Sequence, residues 1–487
     1  MDILFVTPEV APYSKVGGLA DISGSLPKAL RGLGHRVTVL SPLHRSVDPS
    51  KHSLARRLTK LVVPMGGRTF ECALFDGRTA AGVDLLFVSE PSLFDRPGIY
   101  GDPEAHKVYE DDALRWAVFS RAAVEVARLR EGGFDIVHVN DWPTGLVPVY
   151  LAHRYAGVPK LERLAVVLGI HNLVHQGRFS KDVMASLDLD PSLFTPEGIE
   201  LYGDVSFLKG GIVFADRVAT ASPTYAREIL RDGHGFGLEG LLRHRAESLV
   251  GILNGVDQSI WNPATDPSLV SRYDAESPAS KARCKADLQR RLGLPVEPRV
   301  PLIGTVSRLA WEKGLDVLAV ALERLLRADV QVAVLGRGEE SQETAFRKIA
   351  EQWRDRMAYV HDVPEPLAHQ LYAGADLFVM PSRFEPCGLA QMYAQRYGTP
   401  PIVHATGGLI DTVVDCDAHL ETGTGFVFQN ETAEDLLAAM RRALAAYTQR
   451  EPFERLVRRV MKLDHSWDRS ARRYETLYRQ VAKDSTA

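Results

Sequence analysis

The chain has 487 residues, of which 45% are hydrophobic, 25% charged and 8% aromatic, values close to those of an ordinary soluble globular protein. This composition excludes collagen-like, low-complexity and mainly disordered chains. The 58 basic and 62 acidic residues give a formal net charge of −4, so nothing in the overall charge favours nucleic acid as a partner.

Cysteine usage and the N-terminal segment favour a cytoplasmic protein. The four cysteines lie far apart, form no CxxC pair and have no histidine at zinc-binding spacing, which argues against a disulfide framework and a structural metal. The segment Met1–Pro8 has no basic residue and only four consecutive apolar residues, unlike a signal peptide. No apolar run approaches the ~18 residues of a membrane span. We therefore expect a cytoplasmic location and no membrane partner.

In the first half of the chain, short apolar runs alternate with longer amphipathic segments, as in the βαβ units of a parallel sheet. In chain order, the predicted elements are a strand at Ile3–Val6, a loop through Gly17 and Gly18, a helix at Asp21–Leu33, strands at Val37–Leu40 and Leu85–Val88, a helix at Tyr100–Leu129, and strands at Ile136–Val139, Ala165–Ile170 and Arg217–Ala221. This pattern predicts a doubly wound α/β domain.

A second series of the same kind begins near residue 300. Its predicted strands are Pro301–Val306, Gln331–Leu335, Ala358–His361, Leu377–Met380 and Pro401–Val403, and a terminal helix is predicted at Ser466–Val481. Two doubly wound domains are the simplest interpretation.

The predicted boundary between these domains lies after Val250. Residues Gly251–Asp257 are typical of a strand and tight turn, which we assign to the second domain. The segment Pro263–Pro298 is rich in proline, serine, aspartate and arginine, as a surface connection would be. We therefore expect domains at residues 1–250 and 251–460, followed by a helical segment at residues 461–487.

Ligands of open α/β sheets bind beyond the carboxyl ends of the strands, so the loops that follow strands are the candidate site. In the first of these loops, Lys15–Asp21, two glycines allow close backbone approach, helix N-terminal amides favour an anion and Lys15 adds a positive charge. The loop matches neither GxGxxG nor the Walker A motif, which weakens a nicotinamide or P-loop interpretation. Taken alone, it is better explained as a tight turn with a solvated lysine.

A second loop, Val306–Gly314, carries two cations directly after a predicted strand. Arg308 can donate forked hydrogen bonds to phosphate oxygens while Lys313 supplies a compact charge, a combination that suits a diphosphate. The alternative is a basic pair on the first turn of a helix. Because cations are favoured at the opposite helix end, that alternative is weakened but stays open.

Further polar residues follow other predicted strands. Glu385 precedes a helix predicted to begin near Gly388, where it either binds sugar hydroxyls or caps the helix, and this motif alone does not decide between them. Thr406–Gly408 is a small-residue turn that would admit a ligand close to backbone amides. His138 and His171 follow two other strands, and we interpret His138 as a hydrogen-bonded structural residue.

Considered together, these motifs resemble those of the bacterial and plant glycogen/starch synthases. The similarity runs in order over nearly the whole chain. It is carried by Lys15–Asp21, His171–Leu173, Ser307–Leu309 with Lys313 and Gly314, Phe384–Leu389 and Thr406–Leu409, with further matches at Asp95–Gly98, Ser206–Lys209, Ser222–Tyr225 and Leu253–Asp257.

The resemblance implies the GT-B fold, an α/β architecture of two Rossmann-like doubly wound domains facing a cleft. The N-terminal domain would form the acceptor side and the C-terminal domain the donor side, with the C-terminal helix crossing back to the N-terminal domain. The implied reaction transfers glucose from ADP-glucose to the non-reducing end of an α-1,4-glucan, with retention of configuration. The expected partners are therefore a nucleotide-sugar donor and a glucan acceptor, and no cofactor or metal is expected.

The resemblance also implies roles for individual residues. The expected catalytic residues are His171, Arg308, Lys313, Glu385 and Asp21. The expected donor-binding residues are Lys15, Gly17, Gly18, Asn254, Cys387, Gly388, Leu389, Gly407 and Gly408. The expected acceptor-binding residues are Asp141 and Trp142.

The chain departs from the usual motifs of this family at several positions. Asn140 and Pro143 stand where the family commonly has histidines, Gly169 and Ala390 where it has threonines, and His175 where it has tyrosine. These substitutions bear on the acceptor and on the rate more than on the reaction class. Oligomeric state, allosteric control and preferred acceptor length stay open.

Metal-dependent glycosyltransferases bind their metal with an Asp-x-Asp motif, and this chain has two such sequences, Asp188–Asp190 and Asp415–Asp417. Neither directly follows an apolar strand. Arg308 and Lys313 already offer positive charge for a departing diphosphate. We therefore interpret both sequences as surface coincidences.

Two alternative functions stay open at this stage. One is a retaining GT-B glucosyltransferase that uses UDP-glucose or a short maltooligosaccharide acceptor. The other is a weakly active α-glucan-binding homologue, suggested by Asn140, Pro143 and Ala390. The presence of Lys15, Arg308, Lys313 and Glu385 argues against the second, since a pure binding module needs no cations for a diphosphate.

Overall fold

The computed structural model describes residues 1–102 and 107–484. They form two compact units: Met1–Gly255 together with the C-terminal helix Trp467–Asp484, and Val256–Ser466. Over these residues, none of the helices combines the length and apolar character that crossing a membrane requires.

The first unit contains a ten-stranded mixed sheet and a small antiparallel sheet. Its strands are β1 (Asp2–Val6), β2 (Arg36–Pro42), β3 (Ala55–Arg56), β4 (Leu61–Met65), β5 (Arg68–Arg78), β6 (Asp84–Ser89), β7 (Ile136–Asn140), β8 (Ala165–Ile170), β9 (Arg178–Ser180), β10 (Glu200–Leu201), β11 (Asp204–Ser206), β12 (Arg217–Thr220) and β13 (Leu249–Gly251). Its helices are α1 (Gly18–Gly32), α2 (Pro91–Phe94), α3 (Asp112–Leu129), α4 (Leu146–His153), α5 (Phe207–Phe214), α6 (Pro223–Glu228), α7 (Glu239–His244) and the C-terminal helix.

The parallel part of the large sheet has the strand order β13-β12-β8-β7-β1-β2-β6. Counted along the chain, this is the 3-2-1-4-5-6 order of a Rossmann-like sheet with one further strand. The antiparallel β5 joins β6 at one edge, and β3 and β4 pair with β5. Strand β1 lies between β2 and β7, so the strand order reverses between β1 and β7.

Both faces of this sheet are buried. In β1, Ile3 and Phe5 belong to one hydrophobic cluster while Leu4 and Val6 belong to the other, because successive side chains of a strand point to opposite faces. The C-terminal helix packs on the cluster of Ile3 and Phe5 through side chains that include Tyr478. The small sheet β10-β11-β9 leads directly into α5.

The second unit contains a six-stranded parallel sheet in the order β16-β15-β14-β17-β18-β19, which is again 3-2-1-4-5-6 along the chain. Its strands are β14 (Leu302–Val306), β15 (Gln331–Leu335), β16 (Met357–Val360), β17 (Leu377–Met380), β18 (Pro401–His404) and β19 (Phe426–Phe428). Its helices are α8 (Lys281–Arg291), α9 (Leu315–Leu325), α10 (Glu340–Gln352), α11 (Glu365–Gly374), α12 (Ala390–Arg396), α13 (Gly407–Thr412), α14 (Ala433–Thr448) and α15 (Arg450–Met461). The reversal lies between β14 and β17.

The predicted parallel strands are all present, with ends that differ by no more than two residues. The helix predicted at Tyr100–Leu129 instead begins at Asp112, and its predicted residues 103–106 lie outside the described residues. The antiparallel strands β4 and β5 were not predicted. Their side chains are only partly buried, so the sequence there lacks the continuous apolar run of a central strand.

The predicted assignment of Gly251–Asp257 to the second domain is wrong for residues 251–255, whereas Val256 and Asp257 do belong to the second unit. Residues Leu249–Gly251 form β13, which pairs in parallel with β12 at the edge of the first sheet. The division between the units accordingly follows Gly255. Three-residue edge strands carry little periodicity, so the sequence could not show which sheet this one joins.

The segment Pro263–Pro298 is not a simple surface connection. It contains helix α8, whose lysines Lys281 and Lys285, the second of them buried, reach main-chain and side-chain acceptors within the second unit. The Lys281 ammonium donates to Ala373 O at 2.8 Å and to Thr399 Oγ1 at 2.7 Å. Lys285 forms an ion pair with Asp376 at 2.6 Å. The polar composition of this segment therefore conceals groups that are paired in the interior.

Replacing Tyr478 tests the attachment of the C-terminal helix. The Tyr478 hydroxyl lies 2.6 Å from Nδ1 of the fully buried His138. Tyr478→Phe leaves that ring nitrogen without its partner, at a cost of about 1–2 kcal/mol. We expect the melting temperature to fall by about 2–6 °C, measured by scanning calorimetry. Tyr202→Phe, which alters an exposed tyrosine, is the control. Equal melting temperatures for all three proteins would contradict the expected role of this contact.

Candidate functional site

Each unit carries candidate residues in the loops at the reversal of its strand order. In the first unit these loops follow β1 and β7, and in the second they follow β14 and β17. The carboxyl ends of adjacent parallel strands leave a crevice at such a point, which is the usual ligand site of open α/β sheets.

In the loop after β1, the Glu9 carboxyl group binds two backbone amides that lie just before the N-terminus of α1. Glu9 Oε2 accepts hydrogen bonds from the backbone amides of Val16 at 2.5 Å and Gly17 at 3.2 Å. Its other oxygen accepts from the Tyr100 hydroxyl at 3.1 Å. Burial raises the pKa of Glu9 to about 7, although the two amides act in the opposite direction.

Lys15 and Asp21 form an ion pair at the start of α1. Lys15 Nζ lies 2.8 Å from Asp21 Oδ1, with the two side chains 37% and 23% exposed. Helix α1 begins at Gly18, so Gly17 occupies the N-cap position. The lysine of this loop is therefore held by a carboxylate on the first turn of the helix that it precedes.

The loop after β7 holds Asp141 in a strained backbone conformation. Its φ of 56° and ψ of −174° lie in a region that only glycine adopts readily, at a cost of order 1–3 kcal/mol. Surrounding hydrogen bonds maintain it: Asp141 N donates to Gly169 O at 2.8 Å, and Asp141 Oδ1 accepts from His171 N at 2.7 Å. Burial raises the pKa of Asp141 to about 6, and the charge of Asp141 also raises the pKa of Glu9.

His171 is neutral and its tautomer is fixed by Asn140. Burial lowers the pKa of His171 to about 4. The Asn140 side-chain amide donates to Val6 O at 2.9 Å, which turns its oxygen towards His171 Nε2, also at 2.9 Å. Nε2 therefore carries the proton, and Nδ1 presents its lone pair. Among the described residues, Nδ1 has no hydrogen-bond partner.

Two of the departures from the family motifs act together at this histidine. A Cβ on Gly169 would lie 3.1 Å from both Asn140 Oδ1 and His171 Nε2, and 2.8 Å from His138 Nε2. Glycine at position 169 thus leaves the space in which asparagine at position 140 reaches His171. Of the other departures, Pro143 lies in a short 3₁₀ helix, His175 is exposed and Ala390 begins α12.

The structural role predicted for His138 is confirmed. Its side chain is fully buried, packs against Phe5 and bonds to Tyr478, and burial lowers its pKa to about 3. Trp142, predicted to bind the acceptor, is partly buried and meets the ring of Trp116 edge to face, with 5.8 Å between the ring centroids.

In the second unit, the loops after β14 and β17 meet through a pair of opposite charges. Lys313 Nζ lies 2.7 Å from Glu385 Oε2, which also accepts from the Ser382 hydroxyl at 3.1 Å. A Cβ on Gly314 would lie 2.0 Å from Pro381 O, so only glycine allows the two loops to approach this closely. The Glu385 side chain is 9% exposed and that of Lys313 is 22% exposed.

Glu385 does not cap a helix. The N-cap of α12 is Leu389, and the Glu385 carboxylate binds a cation and a hydroxyl rather than helix amides. The backbone carbonyl of Glu385 accepts from Gly408 N at 2.9 Å. Gly407 and Gly408, predicted to lie in a turn, are the first residues of helix α13. A Cβ on Gly408 would lie 2.2 Å from Cys387 O, so the start of this helix packs directly on the loop of Glu385.

The remaining predicted residues are less closely grouped. Arg308 is 56% exposed and pairs with Glu312 at 2.9 Å, without a direct contact to Lys313 or Glu385 among the described residues. Asn254, in the first unit, is 3% exposed, and its Oδ1 has no hydrogen-bond partner in the described part of the chain. Residues of the first unit are Lys15, Gly17, Gly18, Asp21, Asp141, Trp142, His171 and Asn254, and those of the second are Arg308, Lys313, Glu385, Cys387, Gly388, Leu389, Gly407 and Gly408.

The two Asp-x-Asp sequences have contacts of their own. Asp188 pairs with Arg121 at 2.5 Å, and Asp415 forms a bidentate pair with Arg442 at 2.8 and 2.9 Å. Asp190 caps a short 3₁₀ helix. Within residues 1–102 and 107–484, three or more histidine, cysteine or acidic side chains nowhere converge in a group that could hold a metal ion.

Sequence reasoning missed Glu9, Tyr100 and Ser382. Glu9 lies in the same strand-to-helix loop as Lys15, and this position was the one available signal. Tyr100 reaches Glu9 across 91 positions of sequence. Serine is common in turns, so nothing in the sequence indicated that the Ser382 hydroxyl donates to Glu385.

Comparison with known proteins shows similarity over the full chain. The family described as starch synthase catalytic domain matches residues 2–244, and the group 1 glycosyl transferases match residues 290–459. A glycogen synthase from Anaeromyxobacter sp. (strain Fw109-5) is 48% identical over 99% of this chain and 100% of that protein. The glycogen synthase of Koribacter versatilis (strain Ellin345) is 42% identical over 99% of this chain and 98% of its own length.

Solved structures show the same relationship. The catalytic domain of starch synthase IV from Arabidopsis thaliana, bound to ADP and acarbose, has a TM-score of 0.92 and 34% identity, with 99% of each chain covered. Sucrose-phosphate synthase from Thermosynechococcus elongatus, at 18% identity, has a TM-score of 0.61 with 99% of each chain covered. That second similarity concerns the fold alone.

Glu9→Gln gives a test based on pH. Between pH 4.5 and about 7, the Glu9 carboxyl ionises in the unfolded chain but stays protonated in the folded one, so ionisation favours unfolding as pH rises. Glutamine does not titrate. The stability of Glu9→Gln relative to the unmodified protein should therefore rise across this window, by about 3 kcal/mol, and level off above pH 7.

Melting temperatures of both proteins at half-unit pH steps would measure this difference. Glu131→Gln, at an exposed position, controls for the general effect of removing a carboxylate. A difference between Glu9→Gln and the unmodified protein that is constant from pH 4.5 to 7, or that falls with pH, would contradict the raised pKa of Glu9.

Proposed function

The chain belongs to the glycogen and starch synthase family, and from this premise we propose that it transfers glucose from ADP-glucose to the non-reducing end of an α-1,4-glucan with retention of configuration. It is a glycosyltransferase with the GT-B fold. Family membership does not by itself fix the donor, the end of the acceptor that is extended or the roles of single residues, and we propose these three.

The observation that carries the proposal is the contact between Lys313 and Glu385 at the strand-order reversal of the second unit. Breaking the bond between glucose and the diphosphate leaves negative charge on the diphosphate and positive character on the sugar. A fixed cation beside the leaving group and a carboxylate beside the sugar would stabilise both charges. Lys313 and Glu385 carry these opposite charges 2.7 Å apart.

Arg308 extends the positive charge of this site. It follows β14 in the same loop as Lys313, and its guanidinium is 56% exposed, so a phosphate could reach it. We propose that Arg308 and Lys313 together bind the diphosphate, and that Glu385 accepts hydrogen bonds from hydroxyls of the donor glucose. The start of α13 at Gly407 and Gly408, which packs on the same loop, would admit the donor close to the backbone.

On the first unit, we propose that His171, Lys15 and Asp21 act near the reacting sugar and that Asp141 and Trp142 contact the acceptor. His171 supports this proposal because its neutral ring offers an unpartnered Nδ1 lone pair, which can accept a hydrogen bond from a hydroxyl. The fixed, strained backbone of Asp141 fits a position that is held for binding. The donor-binding role of Asn254 is supported by its buried, unpartnered oxygen.

ADP-glucose is the proposed donor because the Arabidopsis structure, similar over 99% of this chain, is described as bound to ADP and acarbose. We propose that no metal takes part, since Arg308 and Lys313 can neutralise the diphosphate and one carboxylate of each Asp-x-Asp sequence, Asp188 or Asp415, is paired with an arginine. The four free, buried cysteines fit the cytoplasmic location that we also propose.

Nucleotide release tests the donor and the reaction together. The unmodified protein is incubated with ADP-glucose or UDP-glucose, each with and without glycogen. We expect release of ADP from ADP-glucose only when glycogen is present. Release from UDP-glucose alone would overturn the donor assignment. Release from neither donor would favour a glucan-binding protein over an enzyme.

Single substitutions test the site in the second unit. Lys313→Ala removes the proposed charge beside the diphosphate, and Glu385→Ala removes the proposed partner of the sugar hydroxyls. We expect each to lower turnover about 100-fold or more, the scale for loss of a preorganised electrostatic contact. Lys462→Ala, which removes a lysine from an exposed ion pair with Glu276, should retain turnover. Rates near that of the unmodified protein for both site variants would rule out the proposed roles.

A further inference from the structure

We propose that two neighbouring turns on the first unit, Tyr202-Gly203 and Phe236-Gly237, form an additional binding surface for an α-1,4-glucan chain. We call them the aromatic turns. This inference rests on the proposed function, because it takes the glucan acceptor as its ligand. It concerns residues outside those to which an acceptor role was assigned from the sequence.

The aromatic turns share an uncommon backbone conformation. Tyr202 and Phe236 have φ angles of 52° and 51°, and the glycines that follow them have φ angles of 85° and 87°. Bulky side chains rarely adopt positive φ, because Cβ then crowds the backbone. Glycine or asparagine would fit both first positions without this cost. The chain instead has a large ring at each.

Both rings are exposed despite that cost. Tyr202 is 71% and Phe236 is 36% exposed, so burial does not repay the strained backbone of Tyr202. Strained backbone conformations cluster at binding and catalytic sites. An exposed tyrosine held at the tip of the β10-β11 hairpin therefore indicates a binding role.

The two turns are in contact and are fixed in place. A Cβ on Gly237 would lie 2.6 Å from Cε2 of Tyr202, so the tyrosine ring lies directly on the Gly237 backbone. The Arg178 guanidinium lies 5.8 Å from the centre of the Tyr202 ring and pairs with Asp204 at 2.8 Å. The rings thus belong to one surface, bordered by a neutralised pair of charges.

This surface is continuous with the loop that holds the predicted acceptor residues. The Gln176 side-chain amide donates to Phe236 O at 2.9 Å. The next residue, Gly177, lies on the Trp142 ring, since a Cβ there would be 2.3 Å from Cε3 of the indole. A direct series of contacts therefore joins Trp142 to Phe236 and, through Gly237, to Tyr202.

The chemistry of the surface suits a neutral polysaccharide. A glucose ring presents C–H groups on its faces and hydroxyls around its rim. An exposed tyrosine offers a flat apolar face beside a polar hydroxyl. The nearby Arg178 and Asp204 offer hydrogen-bond donors and acceptors without net charge.

Tyr202→Gly is the decisive variant, because it removes the ring and also relieves the positive φ, so the fold is not put at risk. We expect about 3- to 10-fold weaker binding of glycogen, the scale of one aromatic contact, with kcat at saturating glycogen unchanged. Tyr202→Phe keeps the ring and should bind within about twofold of the unmodified protein. Ser53→Gly, which relieves positive φ at another exposed position, is the matched control.

Binding is measured by electrophoresis through gels that contain glycogen, without any nucleotide sugar, and separately as the glycogen concentration that half-saturates glucose transfer. Unchanged glycogen binding by Tyr202→Gly, or equal losses for Tyr202→Gly and Tyr202→Phe, would overturn the inference. Absence of glycogen binding by the unmodified protein would also overturn it. Because electrophoresis needs no catalysis, failure of the proposed transferase activity would appear in the nucleotide-release and glucose-transfer assays and would leave the electrophoretic measurement of glycogen binding intact.

Discussion

Adjacent parallel strands end at the same edge of a sheet, and the candidate residues of both units depend on this constraint. In the first unit it brings the loop of Glu9 close enough to Asp141 for the two charges to interact, although 132 positions separate them. In the second unit it joins Lys313 to Glu385 across 72 positions. The strand order reverses at both places, so no crossover helix fills the space beyond the strand ends. The same order of strands thus opens a crevice in each of two sheets that differ in size and edges.

Within these crevices, burial decides the state of the titratable groups. Glu9 and Asp141 have raised pKa values and His171 a lowered one, in each case because the low-dielectric surroundings disfavour the charged form. Around β1, β7 and β8 the first unit therefore holds a neutral His171 and two carboxyl groups, Glu9 and Asp141, that ionise at a higher pH than usual. The second unit instead holds Lys313 and Glu385 as an ion pair, with Nζ and Oε2 2.7 Å apart. In the proposed reaction, the groups of the first unit would accept protons or bind hydroxyls, and Lys313 on the second unit would bind the diphosphate.

Close backbone approach and backbone strain complete the geometry. Gly314 and Gly408 let neighbouring loops of the second unit touch through main-chain atoms, which fixes the distance between the lysine and the glutamate that those loops carry. Asp141 and Tyr202 show the reverse case, in which a residue with a side chain has a backbone conformation that favours glycine. Such positions cost free energy, and the hydrogen bonds around Asp141 offset that cost. The rigidity of the loops therefore comes from the fold as a whole rather than from the preferences of their own residues.

The sequence by itself determined the two doubly wound sheets, since buried parallel strands are continuous apolar runs and each pairs with its neighbours in a predictable way. It also located Lys313 and Glu385, because loops after such strands carry the chemistry. Only the tertiary structure decided the contacts that those residues make, the binding of the Val16 and Gly17 amides by Glu9, and the membership of β13 in the first sheet. The small sheet that displays Tyr202 was equally hidden. Local patterns report which side chains are buried, whereas pairing between loops, burial of isolated polar groups and short edge strands depend on residues far away along the chain.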